Sequence, residues 1–163
     1  MTELGCTPGQ TVGPFLHLGL PCAAELVKDS DAGAIRLHGT VYDGDGTPVP
    51  DALVELWQAG DGCTGWGRAA TDADGHYGFT TVVPANPPFF AFTVFARGLL
   101  DRLFTRAYLP GADPGADPAL ATVDAERRAS LLCIPESRTD YRFDIRLQGP
   151  RETVFLAYRG PGR

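Results

Sequence analysis

The chain has 163 residues, 44% of them hydrophobic and 21% charged, a length and balance that support one buried core and exclude wholesale disorder. Fourteen basic residues, with Lys28 the sole lysine, stand against 20 acidic ones for a net charge of −6. That excludes binding driven by nucleic-acid phosphates, which needs a positive surface.

The opening MTELGCTPGQ has no basic segment leading into an apolar one, and no apolar run approaches the length of a bilayer span, so a soluble, cytoplasmic protein is expected. Residues 1–34 are rich in Gly, Pro and small side chains with one apolar patch at 15–20, and are expected to form an arm leading into a single domain over residues 35–163. Residues 35–42 (IRLHGTVY) alternate apolar and polar side chains, the period of a half-buried strand, and Asp43-Gly-Asp-Gly46 supplies a tight turn. Residues 52–58 (ALVELWQ) alternate again, and 65–70 form a short strand. Asp72-Ala-Asp-Gly75 is a second hairpin signal before a strand over 77–83. Neither Asp pair fits a calcium loop: the sixth positions from Asp43 and Asp72 are Pro48 and Tyr77, where such a loop needs Gly.

Prolines at 84, 87 and 88 break the chain, after which 89–95 (FFAFTVF) is nearly continuous in apolar residues, dense enough for burial on both faces or in a subunit contact. Another strand is expected at 103–109. Residues 110–118 repeat Ala-Asp-Pro and must be loop, and 124–132 is a helix with Asp124 at its N-cap. Strands over 141–147 and 153–158 close the chain around the turn Gln148-Gly-Pro-Arg151. Seven or eight short strands, one short helix and no βαβ repeat predict an all-β fold, an antiparallel β-sandwich behind an N-terminal arm.

Self-contained chemistry is sparse. Cys6, Cys22, Cys63 and Cys133 have no C-x-x-C spacing and are expected to be reduced structural thiols, and His17, His38 and His76 are isolated from one another. There is no G-x-S-x-G elbow, phosphate loop or H-E-x-x-H.

Five segments in order do carry a resemblance: TPGQTVGPFLHLGL (7–20), LHGTVYDGDGTPVPDALVELWQA (37–59), GWGRAATDADGHYGFTTVVP (65–84), VFARG (94–98), and YRFDIRLQG (141–149) followed by ETVF (152–155). Together they resemble the intradiol ring-cleavage dioxygenases, whose sandwich is of the prealbumin type and whose catalytic chains hold non-haem Fe(III) with two Tyr and two His. The family's His-x-His pair falls here on Phe89 and Ala91, neither able to donate a lone pair. The stretch between Gln58 and Gly65 is too short for the family's first ligand Tyr, and Ala85, Asn86 and Pro87 offer no second. Loops after Leu20 and Gln58 are also shorter than the family's.

The resemblance therefore implies an iron-free, alpha-type subunit with no catalytic or metal-binding residue of its own. It would complete the pocket of an iron-bearing beta subunit that cleaves protocatechuate with O2 to 3-carboxy-cis,cis-muconate. Thr11, Gly13 and Pro14 match a family loop lining that pocket, and Arg97 matches an arginine near the substrate carboxylate. A Gly-Pro turn lets backbone approach a ring, a Thr hydroxyl can hydrogen-bond, and a guanidinium favours an anion. Phe15 replaces the Tyr usual after this Gly-Pro, which removes a phenol. Each residue also has a plainer reading: Gly13 and Pro14 turning the arm, Thr11 capping that turn, Arg97 pairing with Asp101. Two other functions compete: a stand-alone, transthyretin-like β-sandwich binding module without catalysis, and a homomeric catechol dioxygenase, which needs iron ligands that are missing.

Overall fold

A computed structural model describes residues 7–59 and 65–158; Cys6, Cys63 and most of the short connection after Gln58 lie outside the described residues. Among the described residues, nine strands form two sheets. One contains β1 (Ala34–Tyr42), β4 (His76–Val82), β7 (Ile134–Pro135) and β8 (Asp140–Arg142) in the order β4-β1-β8-β7, with β9 (Ile145–Arg146) also on β1. The other is antiparallel, β3 (Gly65–Ala70), β2 (Leu53–Gln58), β5 (Phe90–Phe95) and β6 (Leu103–Ala107), in that order.

Period-2 patterning explains the packing between them. In β5, Phe90, Phe92 and Val94 are buried while Ala91, Thr93 and Phe95 are half-buried on the opposite face. The inward residues meet Leu37, Tyr77 and Phe79 of the first sheet, and Phe143 from the break between β8 and β9, in one apolar cluster, where Phe92 stacks on Phe143 with ring centroids 5.4 Å apart. Gly39 is required at this contact. Its Cβ would lie 1.9 Å from the Phe143 carbonyl oxygen, which itself accepts a 2.5 Å hydrogen bond from the buried Tyr77 hydroxyl.

Both Asp-x-Asp-Gly turns are Asx turns. Asp43 Oδ1 accepts from the backbone N–H groups of Asp45 and Thr47 at 2.9 and 2.8 Å, and Asp72 Oδ1 accepts from Asp74 and His76 at 2.9 Å each. The second does not close a hairpin, because β3 and β4 belong to different sheets, and the turn hands the chain from one layer to the other.

Three elements depart from expectation. The 141–147 strand splits into β8 and β9, both parallel to β1, so that this sheet is mixed. The break occurs where Asp144 Oδ1 takes the Thr40 N–H at 3.2 Å, a donor that would otherwise serve the ladder. Residues 153–158 form no strand against β9; Leu156 instead bridges Phe104 of β6, its N–H reaching the Phe104 carbonyl at 2.7 Å. The helix shortens to α1 (Ala125–Arg128), continued by a 3-10 turn, Ala129–Leu131, and Asp124 takes the N-cap position without a side-chain bond.

The two Ala-Asp-Pro repeats each begin a 3-10 turn, Pro114–Ala116 and Pro118–Leu120. Asp113 and Asp117 cap them by accepting from Gly115 N–H at 2.7 Å and Ala119 N–H at 2.9 Å. Leu120 packs with Tyr108, Leu131 and Val154 into a second apolar cluster. The arm is fastened as well, with Ala23 bridging Arg68 of β3 and Glu25 bridging Thr80 of β4.

Candidate functional site

Two of the four candidate residues are brought together. Just past β5, Arg97 is followed by Gly98, whose φ of 89° needs a residue without Cβ. The Gly98 N–H donates to Thr11 Oγ1 at 2.7 Å across 87 residues of sequence. Thr11 therefore does not cap the Gly-Pro turn; its hydroxyl fastens the arm beside Arg97. Gln10 and Val12 continue that contact along a shallow cleft with Phe95, Leu99, Leu100 and Arg102. Gly13 and Pro14 follow, both exposed, and the Gly13 carbonyl accepts the Leu16 N–H at 3.3 Å to start the 3-10 turn Leu16–Gly19. A Cβ at Gly13 would meet nothing within 4 Å, so its smallness is not required by this chain's own packing. Phe15, at 72% exposure, is likewise uncovered.

Arg97 pairs with Asp51 rather than Asp101: its Nε lies 2.9 Å from Asp51 Oδ2, with the arginine side chain 54% exposed and the aspartate 13%. Asp101 pairs instead with its neighbour Arg102. Asp51 was not legible as a partner, because it sits at a φ of 65° two residues before β2, a conformation no local signal announced. Its Oδ1 is buried without a hydrogen-bond partner among the described residues. The result is a half-exposed guanidinium, fixed at Nε and steadied by an acidic side chain behind it, next to a loop tied to the arm. Such a group can hold a carboxylate through its terminal nitrogens.

The strand implied as the ligand strand has other contents. Phe89 and Ala91 share the outer face of the second sheet, Ala91 opposite both Trp57 of β2 and Arg106 of β6. Neither offers a donor atom, and the space beside them holds a charged network. The Arg106 guanidinium lies over the Phe89 ring, 4.1 Å from its centroid. Its Nη1 donates to Asp117 Oδ2, as does the Tyr108 hydroxyl. Burial opposes ionisation of Asp117, but those hydrogen bonds outweigh it and hold the carboxyl below its ordinary range. Burial, and then the bond to Asp117, push the Tyr108 phenol well up. A two-Tyr, two-His iron site does not fit these residues.

Two of the three histidines are occupied elsewhere: His38 Nε2 lies 3.0 Å from Glu136 Oε2, and His76 is part of the Asp72 turn. His17, in the arm's 3-10 turn, has its Nδ1 buried without a partner among the described residues. Asp72, Asp74 and His76 present ligand atoms within 4.8 Å of one another, an arrangement the Asx turn already accounts for. A cleft of about 700 Å³ lies away from Arg97, between α1 and β9, where Arg127, Arg142, Arg146 and Arg151 alternate with Asp124, Glu126, Asp144 and Glu152.

No family model matches the chain. Among known proteins it is 37% identical to the protocatechuate 3,4-dioxygenase alpha chain of Burkholderia cepacia, over 96% of this chain and 99% of that one. It is 32% identical to the protocatechuate 3,4-dioxygenase beta chain of the same organism, over 86% of this chain and 74% of that one. Among solved structures it resembles the dioxygenase domain of a dioxygenase carbohydrate-binding protein fusion from Streptomyces sp. SirexAA-E. The TM-score is 0.61 at 28% identity, covering 88% of this chain and 98% of that one.

Proposed function

This chain belongs to the intradiol dioxygenase family, among the protocatechuate 3,4-dioxygenase alpha chains, and on that premise we propose that it is the alpha subunit of an alpha–beta heteromer that cleaves protocatechuate with O2 to 3-carboxy-cis,cis-muconate. One observation carries the reading. An end-to-end likeness to an alpha chain coincides with a strand, at Phe89 and Ala91, that has carbon where iron-bearing members hold imidazoles. The non-haem Fe(III) then belongs to the beta subunit, and this chain supplies no metal ligand and no catalytic residue.

What it supplies is a wall of the substrate pocket. Arg97 offers a steadied positive charge to the substrate carboxylate. Thr11, through its bond to Gly98, makes the arm and Arg97 one unit. Gly13 and Pro14, both exposed in the isolated chain, present a rigid stretch of backbone to the partner's pocket. Phe15 excludes water there without offering a hydroxyl. Residues 35–163 act as one sandwich domain, with residues 1–34 as the arm. No helix among the described residues is long and apolar enough to cross a membrane, and the free thiols of Cys22 and Cys133 fit a reducing, cytoplasmic setting.

The test is iron content and protocatechuate-dependent O2 uptake of the chain purified alone and after co-expression with a beta chain. Iron and activity should appear only in the co-purified complex. Stoichiometric iron in the isolated chain would overturn the assignment, and failure to associate with any beta chain would return the protein to a stand-alone binding module.

A further inference from the structure

The outer face of the second sheet is not merely stripped of metal ligands. Strand register places Trp66, Trp57, Ala91 and Arg106 in one row across all four strands. Ala91 contributes almost no side chain to that row, and Phe89, two residues earlier, lies on the same face. Arg106 is the cross-strand partner of Ala91, and its guanidinium sits over the Phe89 ring. Its side chain is 13% exposed, and that of its partner Asp117 is 10% exposed.

We propose that Arg106 is a resident cation that closes this locus to metal ions: its guanidinium fills the space beside positions 89 and 91, and its charge opposes a second cation there. Three features support this. A guanidinium does not release its proton, so the charge cannot be vacated to admit a metal as a lysine's could. The carboxylate at the locus is already engaged, Asp117 Oδ2 by Arg106 and Tyr108 and Oδ1 by the Ala119 N–H at 2.9 Å, so it is no free ligand. Repulsion between like charges at a few ångströms is far stronger in a half-buried site than in water. The family relationship and the position of Phe89 and Ala91 underlie the inference. The pocket-completing role of Arg97 does not, and the experiment below leaves that role untouched.

The experiment restores the missing imidazoles in the full chain. Phe89→His with Ala91→His places two histidines on one strand face, a spacing that chelates divalent ions when nothing opposes it. Binding is followed by titration with Co2+ and its visible ligand-field absorption. With Arg106 retained, little or no Co2+ should bind; adding Arg106→Gln should tighten binding by about tenfold or more. Arg106→Gln alone leaves Asp117 buried without its partner and can unfold the chain. The same comparison is therefore repeated with Arg106→Gln and Asp117→Asn together, each variant's fold being checked by circular dichroism. Equal Co2+ affinity with and without Arg106, whether measurable or nil, would overturn the proposal.

Discussion

Just past the end of β5, Arg97 stands 54% exposed with only its Nε on Asp51; on the neighbouring strand, Arg106 is 13% exposed, bonded to Asp117 and stacked on Phe89. Both are arginines paired with an aspartate far from them in local context, and a list of ion pairs would rank them together. Their surroundings separate them. Water reaches the terminal nitrogens of Arg97, so its pair contributes little to stability and its charge stays available to a ligand. Around Arg106 the second apolar cluster and the Asp117 cap remove that water, so the pair is costly to break and is closed to other partners. The exposed arginine thus keeps its charge open to solvent, and the buried one is committed to the architecture.

The largest effect should come from Asp117→Ala. It leaves a nearly buried guanidinium unpaired and uncaps the Pro118–Leu120 turn, with an expected loss of about 3–5 kcal/mol by urea unfolding. A loss under about 1 kcal/mol would mean that Arg106 is no better satisfied than a surface pair.

Next is the acid response. A carboxyl whose folded pKa is lowered stabilises fully above its unfolded pKa, about 4, and that contribution is lost as pH falls through the folded value. For Asp117, held low by its hydrogen bonds against the effect of burial, melting temperature should be insensitive near neutrality and fall in acid. The fall should be smaller in Asp117→Asn, and an unchanged acid profile in that variant would remove Asp117 from the account.

For Arg97→Ala in the assembled complex the signal is kinetic. KM for protocatechuate should rise about tenfold with catechol little affected, since only the former carries the carboxylate, and stability should change by about 1 kcal/mol or less. Equal effects on both substrates would end the carboxylate role.

Smallest of all, Thr11→Ala removes the acceptor for the Gly98 N–H at a cost of about 1 kcal/mol or less. Faster proteolytic cleavage within residues 7–20 should report the freed arm, and unchanged cleavage would show that the cleft contacts alone hold it.

Local chemistry carried most of the architecture. Alternation located β1 and β2, because a half-buried strand imposes period 2 on its own residues, and a nearly continuous apolar run located β5. The Asp-x-Asp-Gly and Ala-Asp-Pro segments foretold turns, because an aspartate caps backbone donors two to four residues on. The candidate residues Thr11, Gly13, Pro14 and Arg97 came from the family resemblance, and periodicity contributed nothing to them. The tyrosine-poor, imidazole-free ligand strand was visible as soon as Phe89 and Ala91 were aligned.

Contacts between distant segments were not visible. The split of 141–147 depends on Asp144 reaching Thr40, and the fate of 153–158 depends on Phe104 offering a carbonyl. The partner of Arg97 proved to be Asp51, where four-residue spacing had suggested Asp101. Composition, turn positions, strand periods and the absence of ligand imidazoles at 89 and 91 are properties of the chain read locally, and the sequence by itself determined them. Which arginine would be buried with its aspartate and which left open to solvent was decided only when β5 and β6 paired and the loop after β6 folded onto their outer face. The environment that fixes a charge's worth is built from residues far apart along the chain.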